Sequence, residues 1–207
     1  VPYEKANSSL RNHIHRIRYM LEPDLKCGRD SQYILYGRRM YAFDFEADYW
    51  CDVHEFESLC NRLRETGDTS AERQEICERI LQLYKGDYLA PLDGTWLLPE
   101  RQVYCRMYLD AAKTYVGLLI NEGRLQEAKG VLEKLIDENQ FDEQLWRTLL
   151  EVQLRLGNEI EALRTYHRAN RLFKKELNVE FRRVLRKGRF EVLSSIKYWD
   201  KQFLADE

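Results

Sequence analysis

Apolar residues recur every three to four positions along most of this chain, the spacing that lines one face of an α-helix. Val53, Phe56, Leu59, Cys60 and Leu63 keep it, as do Ile76, Ile80, Leu83 and Tyr84. Three segments open with a small polar residue and a carboxylate three positions on, a pattern that satisfies free N–H groups at a helix start: Asp52 with Glu55, Thr69 with Glu72, and Asn158 with Glu161. Helix breakers are scarce. The 207 residues include ten glycines and four prolines, and no proline follows Pro99. A β-rich domain needs more turn residues than this, so the chain is expected to be all α from about residue 52 onward.

The later part repeats itself. Gly123-Arg-Leu-Gln-Glu-Ala128 lines up with Gly157-Asn-Glu-Ile-Glu-Ala162 at an offset of 34 residues, the tetratricopeptide period. Trp146, Leu149, Ala162, Tyr166 and Ala169 take the helix-contact positions of the second copy. Ala112, Tyr115, Ala128, Leu132 and Leu135 take those of a looser first copy. Small residues where helices cross, with large ones a turn away, let antiparallel helices nest. The expected fold class is mainly α: a tetratricopeptide-like α-α superhelix, preceded by a short segment of another kind.

That segment is the first 46 residues. Residues 5–21 predict a helix with Leu10, Ile14, Ile17 and Leu21 in a narrow apolar stripe. Ser8, Arg11, Asn12, His15, Arg18 and Tyr19 fall opposite, with Arg16 near their edge and His13 beside the stripe as a packing residue. Lys5 to Arg18 holds four basic residues and no acidic one. By itself this is an ordinary amphipathic helix with a solvated basic face. Pro23 then closes the helix, and Ser31–Tyr36, Gly37-Arg38-Arg39 and Met40–Phe43 read as strand, tight turn and strand. A basic helix followed by a hairpin with a basic tip is the end of a winged helix-turn-helix, in which the helix enters the major groove and the wing touches backbone or minor groove. On that reading Ser8, Arg11, Asn12 and His15 face the groove floor. Arg holds guanine and Asn adenine through paired hydrogen bonds. Ser9, at the helix start, bonds a phosphate beside free N–H groups, and Arg38 and Arg39 anchor the wing.

Ser9-Leu-Arg-Asn-His-Ile-His-Arg-Ile-Arg18 resembles the recognition helix of OmpR/PhoB-type winged-helix regulators. Residues 52–181 resemble the bacterial transcriptional activator domain of SARP-type regulators. The resemblance rests on Asp52 and Phe56, on Leu81, Leu83, Tyr84, Gly86, Asp87, Tyr88 and Leu89, on Trp96 and Arg101, on the repeats, and on Glu176, Leu177, Val179 and Glu180. It departs at Asn178 and Phe181, where the family usually has Gly and Pro. The resemblance implies that residues 1–46 are the C-terminal part of a winged helix (recognition helix 5–21, wing 31–43) and that residues 47–207 are the activator domain. It implies that Arg16 and Arg18 contact DNA, as phosphate clamps or base readers. The implied partners are double-stranded promoter DNA, RNA polymerase including its sigma subunit, and a second copy of the chain in a homodimer. A winged helix begins with a short sheet and two helices that are absent here, so the chain is expected to be a fragment whose Leu10–Leu21 stripe packs on missing elements.

Composition narrows the function classes. The chain carries 33 basic and 35 acidic residues, a net charge of −2, so any nucleic-acid site must be a local patch. No apolar run approaches the roughly 18 residues of a membrane span, and the opening VPYEKANSSLRNHIHR lacks an apolar signal core. The expected setting is the cytoplasm. Five cysteines without a CxxC pair read as reduced packing residues, with no metal or cofactor implied. No HExxH, P-loop, GxGxxG or GxSxG motif appears, so no catalytic role is expected. Tyr84, Tyr88, Trp96 and Tyr104 read as core, with a groove role as the alternative. Seven basic and two acidic residues between Lys174 and Arg189 read as a solvated face, with an auxiliary DNA or acidic-partner contact as the alternative. The competing function is a helical-repeat scaffold or signal-sensing module, with the first 46 residues serving only as packing.

Overall fold

The structure is a computed structural model and describes residues 3–65, 67–179 and 181. The chain divides into two compact units, Val1–Cys51 and Asp52–Glu207. The first holds helix α1 (Tyr3–Leu21), a short 3-10 turn (Gly28–Asp30), and strands β1 (Ile34–Gly37) and β2 (Met40–Phe43). The strands pair antiparallel, Ile34 opposite Phe43 and Gly37 opposite Met40. Arg38 and Arg39 alone make the turn, both in the left-handed region at φ 50° and 62°. Such a turn matches the twist of a two-residue hairpin loop. Gly37, expected in the turn, lies in β1 instead. Along α1, Leu10, Ile17 and Leu21 are exposed and Ile14 is half-buried.

The second unit comprises α2 (Asp52–Arg64), α3 (Ser70–Leu83), a 3-10 turn (Thr95–Leu97), α4 (Leu98–Asn121), α5 (Leu125–Glu138), α6 (Glu143–Arg155) and α7 (Glu159–Leu177). Each helix packs chiefly on its neighbours in sequence, as helical repeats require. The repeat positions carry the core. Ala112, Ala128, Leu132 and Leu135 are buried, as are their 34-residue counterparts Trp146, Ala162, Tyr166 and Ala169. The fold is the mainly helical superhelix expected, with a small hairpin before it.

Of the three capping patterns, Thr69 with Glu72 forms the reciprocal box. Glu55 reaches α3, where it accepts from Arg79 Nε at 2.6 Å and Nη2 at 3.0 Å. Asn158 gives no side-chain cap; its Nδ2 donates to Glu161 Oε2, while Glu161 Oε1 accepts from Lys129 of α5 at 2.6 Å. The departures at 178 and 181 have local reasons. Asn178 ends α7 at φ 53°, a conformation Asn tolerates in place of Gly. Phe181 is fully buried on Tyr166 and Phe173, and its N–H, which a proline would lack, donates to Asn170 Oδ1 at 3.1 Å. The expected later helices lie outside the described residues, as does the basic cluster beyond Lys174 and Lys175.

Candidate nucleic-acid interface

Nineteen residues form α1, and their polar side is open to solvent. Ser8, Ser9, Arg11, Asn12, His15 and Arg16 are all exposed. At 100° per residue they fan over less than half the helix circumference, from Arg11 through His15, Ser8 and Asn12 to Arg16 and Ser9. The His15 ring rests 4.6 Å from Tyr19, which steadies it over the next turn. His13 is exposed rather than packed, and its Nδ1–H donates to the Ser9 carbonyl at 2.7 Å. Ser9 does not stand at a helix start. The helix begins at Tyr3, so its free N–H groups belong to the first turn, and Ser9 offers its hydroxyl alone.

Arg18 leaves the exposed set. It is 9% exposed, with Nε and Nη2 donating to the Ile34 carbonyl at 3.1 and 2.5 Å and the guanidinium 5.6 Å from the Tyr41 ring centre. Arg18, expected on the polar face, sits at that face's boundary with the stripe, and the hairpin lands there.

The hairpin presents Arg38 and Arg39 at its tip, both exposed. Non-glycine residues in the left-handed region cost about 1–2 kcal/mol each, and here the surrounding strands hold two in succession. Tyr36 and Tyr41 pack across the strands at 4.8 Å, and Phe43 contacts Tyr49 at 5.0 Å and Phe45 at 5.3 Å. Sequence reasoning missed Glu22, Lys26 and Arg29. Lys26 and Arg29 are exposed between α1 and the hairpin, and only their charge signalled them. Asp44, Glu46 and Asp48 follow the hairpin with no base among them.

In the second unit, the aromatic residues of the motif divide. Tyr84 stacks on Tyr108 at 4.3 Å, and Tyr104 donates to Glu57 Oε1 at 2.8 Å while packing beside Phe56 and Tyr88. Trp96 is 65% exposed. Arg101 pins the preceding loop, donating to the carbonyls of Tyr88, Leu89 and Leu92 at 2.8–2.9 Å. Leu89 has φ 48° and Gly86 φ 135°, which explains why this turn needs an anchor. The loop, the start of α2 and Tyr104 enclose an open groove of about 360 Å³.

Burial raises the Cys60 and Cys77 thiols to about 11, against the weaker lowering pull of Arg64 and Arg73. Glu22 is held below the usual carboxylate range, chiefly by the Gln32 N–H and then by the Ser31 hydroxyl. Among the described residues there is no cluster of three or more metal-binding side chains, and no helix is long and apolar enough to cross a membrane.

The chain is similar to known proteins. The chain is 25% identical over 194 residues to the regulatory protein AfsR of Streptomyces coelicolor, covering 94% of this chain and 19% of that protein. It is also 25% identical over 179 residues to AfsR of Streptomyces griseus, covering 86% and 18%. The chain therefore spans about a fifth of the length of these relatives. The fold resembles Mycobacterium tuberculosis EmbR, solved in complex with a low-affinity phosphopeptide, with a TM-score of 0.66, 18% identity, and coverage of 99% of this chain and 56% of that one. The bacterial transcriptional activator domain matches residues 51–193, and the chain belongs to that family.

Proposed function

We propose that this chain is the DNA-docking and partner-binding part of a transcriptional activator. The exposed polar face of α1, beside a hairpin tipped by two arginines, carries the reading. In it α1 enters the major groove of promoter DNA. Arg11 and Asn12 read base edges, each paired hydrogen bond discriminating by about 1–3 kcal/mol. Ser8 and His15 face the groove floor between them, Ser9 and Arg16 hold the helix against the groove wall, and Arg38 and Arg39 clamp phosphate on the wing side. Ser9 acts through its hydroxyl rather than through free helix N–H groups.

The helical repeats serve self-association and contact with RNA polymerase, its sigma subunit included. Stacked helix pairs leave a surface suited to helices or extended peptides, and the family match supports a regulatory role for it. The chain's role is recognition, with no catalytic residue assigned, and its setting is the cytoplasm where promoter DNA is found.

Fluorescence anisotropy of the full-length protein on DNA from upstream of its own operon, beside a scrambled control, tests this across several salt concentrations. Preferential binding that weakens with salt supports the activator reading. Equal, feeble binding to both DNAs favours a helical-repeat scaffold or sensor module.

A further inference from the structure

Arg18 lies in the last turn of α1 and Glu22 directly follows the helix, while Arg11 lies seven residues before Arg18 on the same line. Arg11 is exposed, whereas Arg18 and Glu22 both grip the base of the hairpin. Arg18 donates through Nε and Nη2 to the Ile34 carbonyl. Glu22 accepts from Ser31 Oγ at 2.5 Å and from the Gln32 N–H at 3.0 Å. Ser31 Oγ in turn accepts from the Ile34 N–H at 3.0 Å. Both backbone polar groups of Ile34 are thus tied to the end of α1, one directly by Arg18 and one through Ser31 to Glu22, the residue after the helix.

This matters because the hairpin is small. A two-stranded ribbon of four residues a side is marginal alone, so its direction depends on how its base is fixed. From Ile34 to the turn the strand covers about 13 Å at 3.3 Å per residue. A modest tilt at the base therefore carries the tip several ångströms. The planar fork of Arg18 sets that tilt doubly, by its paired bonds to one carbonyl and by lying over Tyr41. Lysine has neither fork nor plane.

We infer that Arg18 is a positioning residue rather than a DNA contact: with Glu22 and Ser31 it fixes the wing to the recognition helix and so places Arg38 and Arg39. The inference rests on the DNA-binding reading for its consequence, though not for its geometry.

The test uses the full-length protein with two readouts. The first needs no DNA: amide hydrogen exchange at Ile34 and through the β1–β2 ladder. Arg18→Ala and Arg18→Lys should each speed it about tenfold or more, given the strength of a charge-assisted bond. Ser31→Ala, a milder change that leaves α1 untouched, should act in the same direction. Unchanged exchange in all three overturns the inference.

The second readout is the salt dependence of DNA binding. Arg38→Ala with Arg39→Ala should lower the log–log slope by about two. Arg18→Ala should lower it by a similar amount, and should add nothing when combined with the wing pair. An additive loss of about one, with Arg18→Lys binding like wild type, identifies Arg18 as a phosphate contact and overturns the inference. Absence of any DNA preference in the wild type defeats the DNA-binding reading alone; the exchange result still decides the anchoring role.

Discussion

Gly123 and Gly157 stand 34 residues apart and adopt nearly the same backbone, with φ of +77° and +74°. Each follows the first helix of a hairpin and reverses the chain into the second, α4 into α5 and α6 into α7. In both turns, the alanine five residues on is buried where the helices cross. The sequence repeat is therefore a repeat of conformation as well as of contacts.

Alanine at two glycines should have opposite effects. Gly157→Ala puts a Cβ at a left-handed position and should destabilise the domain by about 1–2 kcal/mol. Gly130 lies inside α5, and beyond the adjoining backbone of its own helix no described atom lies within 4 Å of the place an alanine Cβ would take, so Gly130→Ala should gain about 0.5–1 kcal/mol. Thermal melts of the two variants should shift in opposite directions, by about 2–4 °C per kcal/mol.

Gln153 occupies the repeat position of Leu119. It is 1% exposed, and its Oε1 has no hydrogen-bond partner among the described residues. A buried amide oxygen left unpaired costs about 1–3 kcal/mol. Gln153→Leu should raise the urea midpoint without changing the slope of the transition, whereas Leu119→Gln should lower it.

The cysteines should react in order of burial. Cys27 is exposed, whereas Cys60 and Cys77 are buried with their thiols raised to about 11. At neutral pH iodoacetamide should label Cys27 on the folded protein and spare Cys60 and Cys77 until denaturant is added. Mass spectrometry of the digested protein checks this.

Glu22 gives the hairpin attachment a pH dependence. Its carboxylate is stabilised by the Gln32 N–H and the Ser31 hydroxyl, so the folded state titrates below the unfolded chain. The stabilisation is complete above the unfolded value and is lost as pH falls through the folded one. The Gln32 amide proton signal should hold steady from neutrality into the mildly acid range and then move with a midpoint below the usual carboxylate value. In Glu22→Gln it should not titrate there.

Periodicity made the helices legible, and the Gly–Ala offset made the repeat legible, because both depend on local spacing. The hairpin is legible too, though its turn starts one residue later than the sequence suggests: a glycine invites a turn, yet the strand pairing puts both left-handed residues at Arg38 and Arg39. What stayed hidden was set by tertiary contacts. Helical angle alone cannot tell that the hairpin lands on the Arg18 side of α1, or that Glu55 pairs with Arg79 of the next helix. His13 has no packing role because the stripe beside it, Leu10, Ile17 and Leu21, is itself exposed. Arg101 belonged to the motif, but only the loop geometry shows why it is there.

The central claim is that the polar face of α1 and the wing read DNA. Selection of bound sequences from a randomised duplex pool by the full-length protein tests it most directly, run beside the Arg11→Ala/Arg16→Ala variant. The account predicts one enriched motif for the wild type and loss of that motif in the variant. No enrichment by the wild type, or the same motif enriched by both, contradicts it.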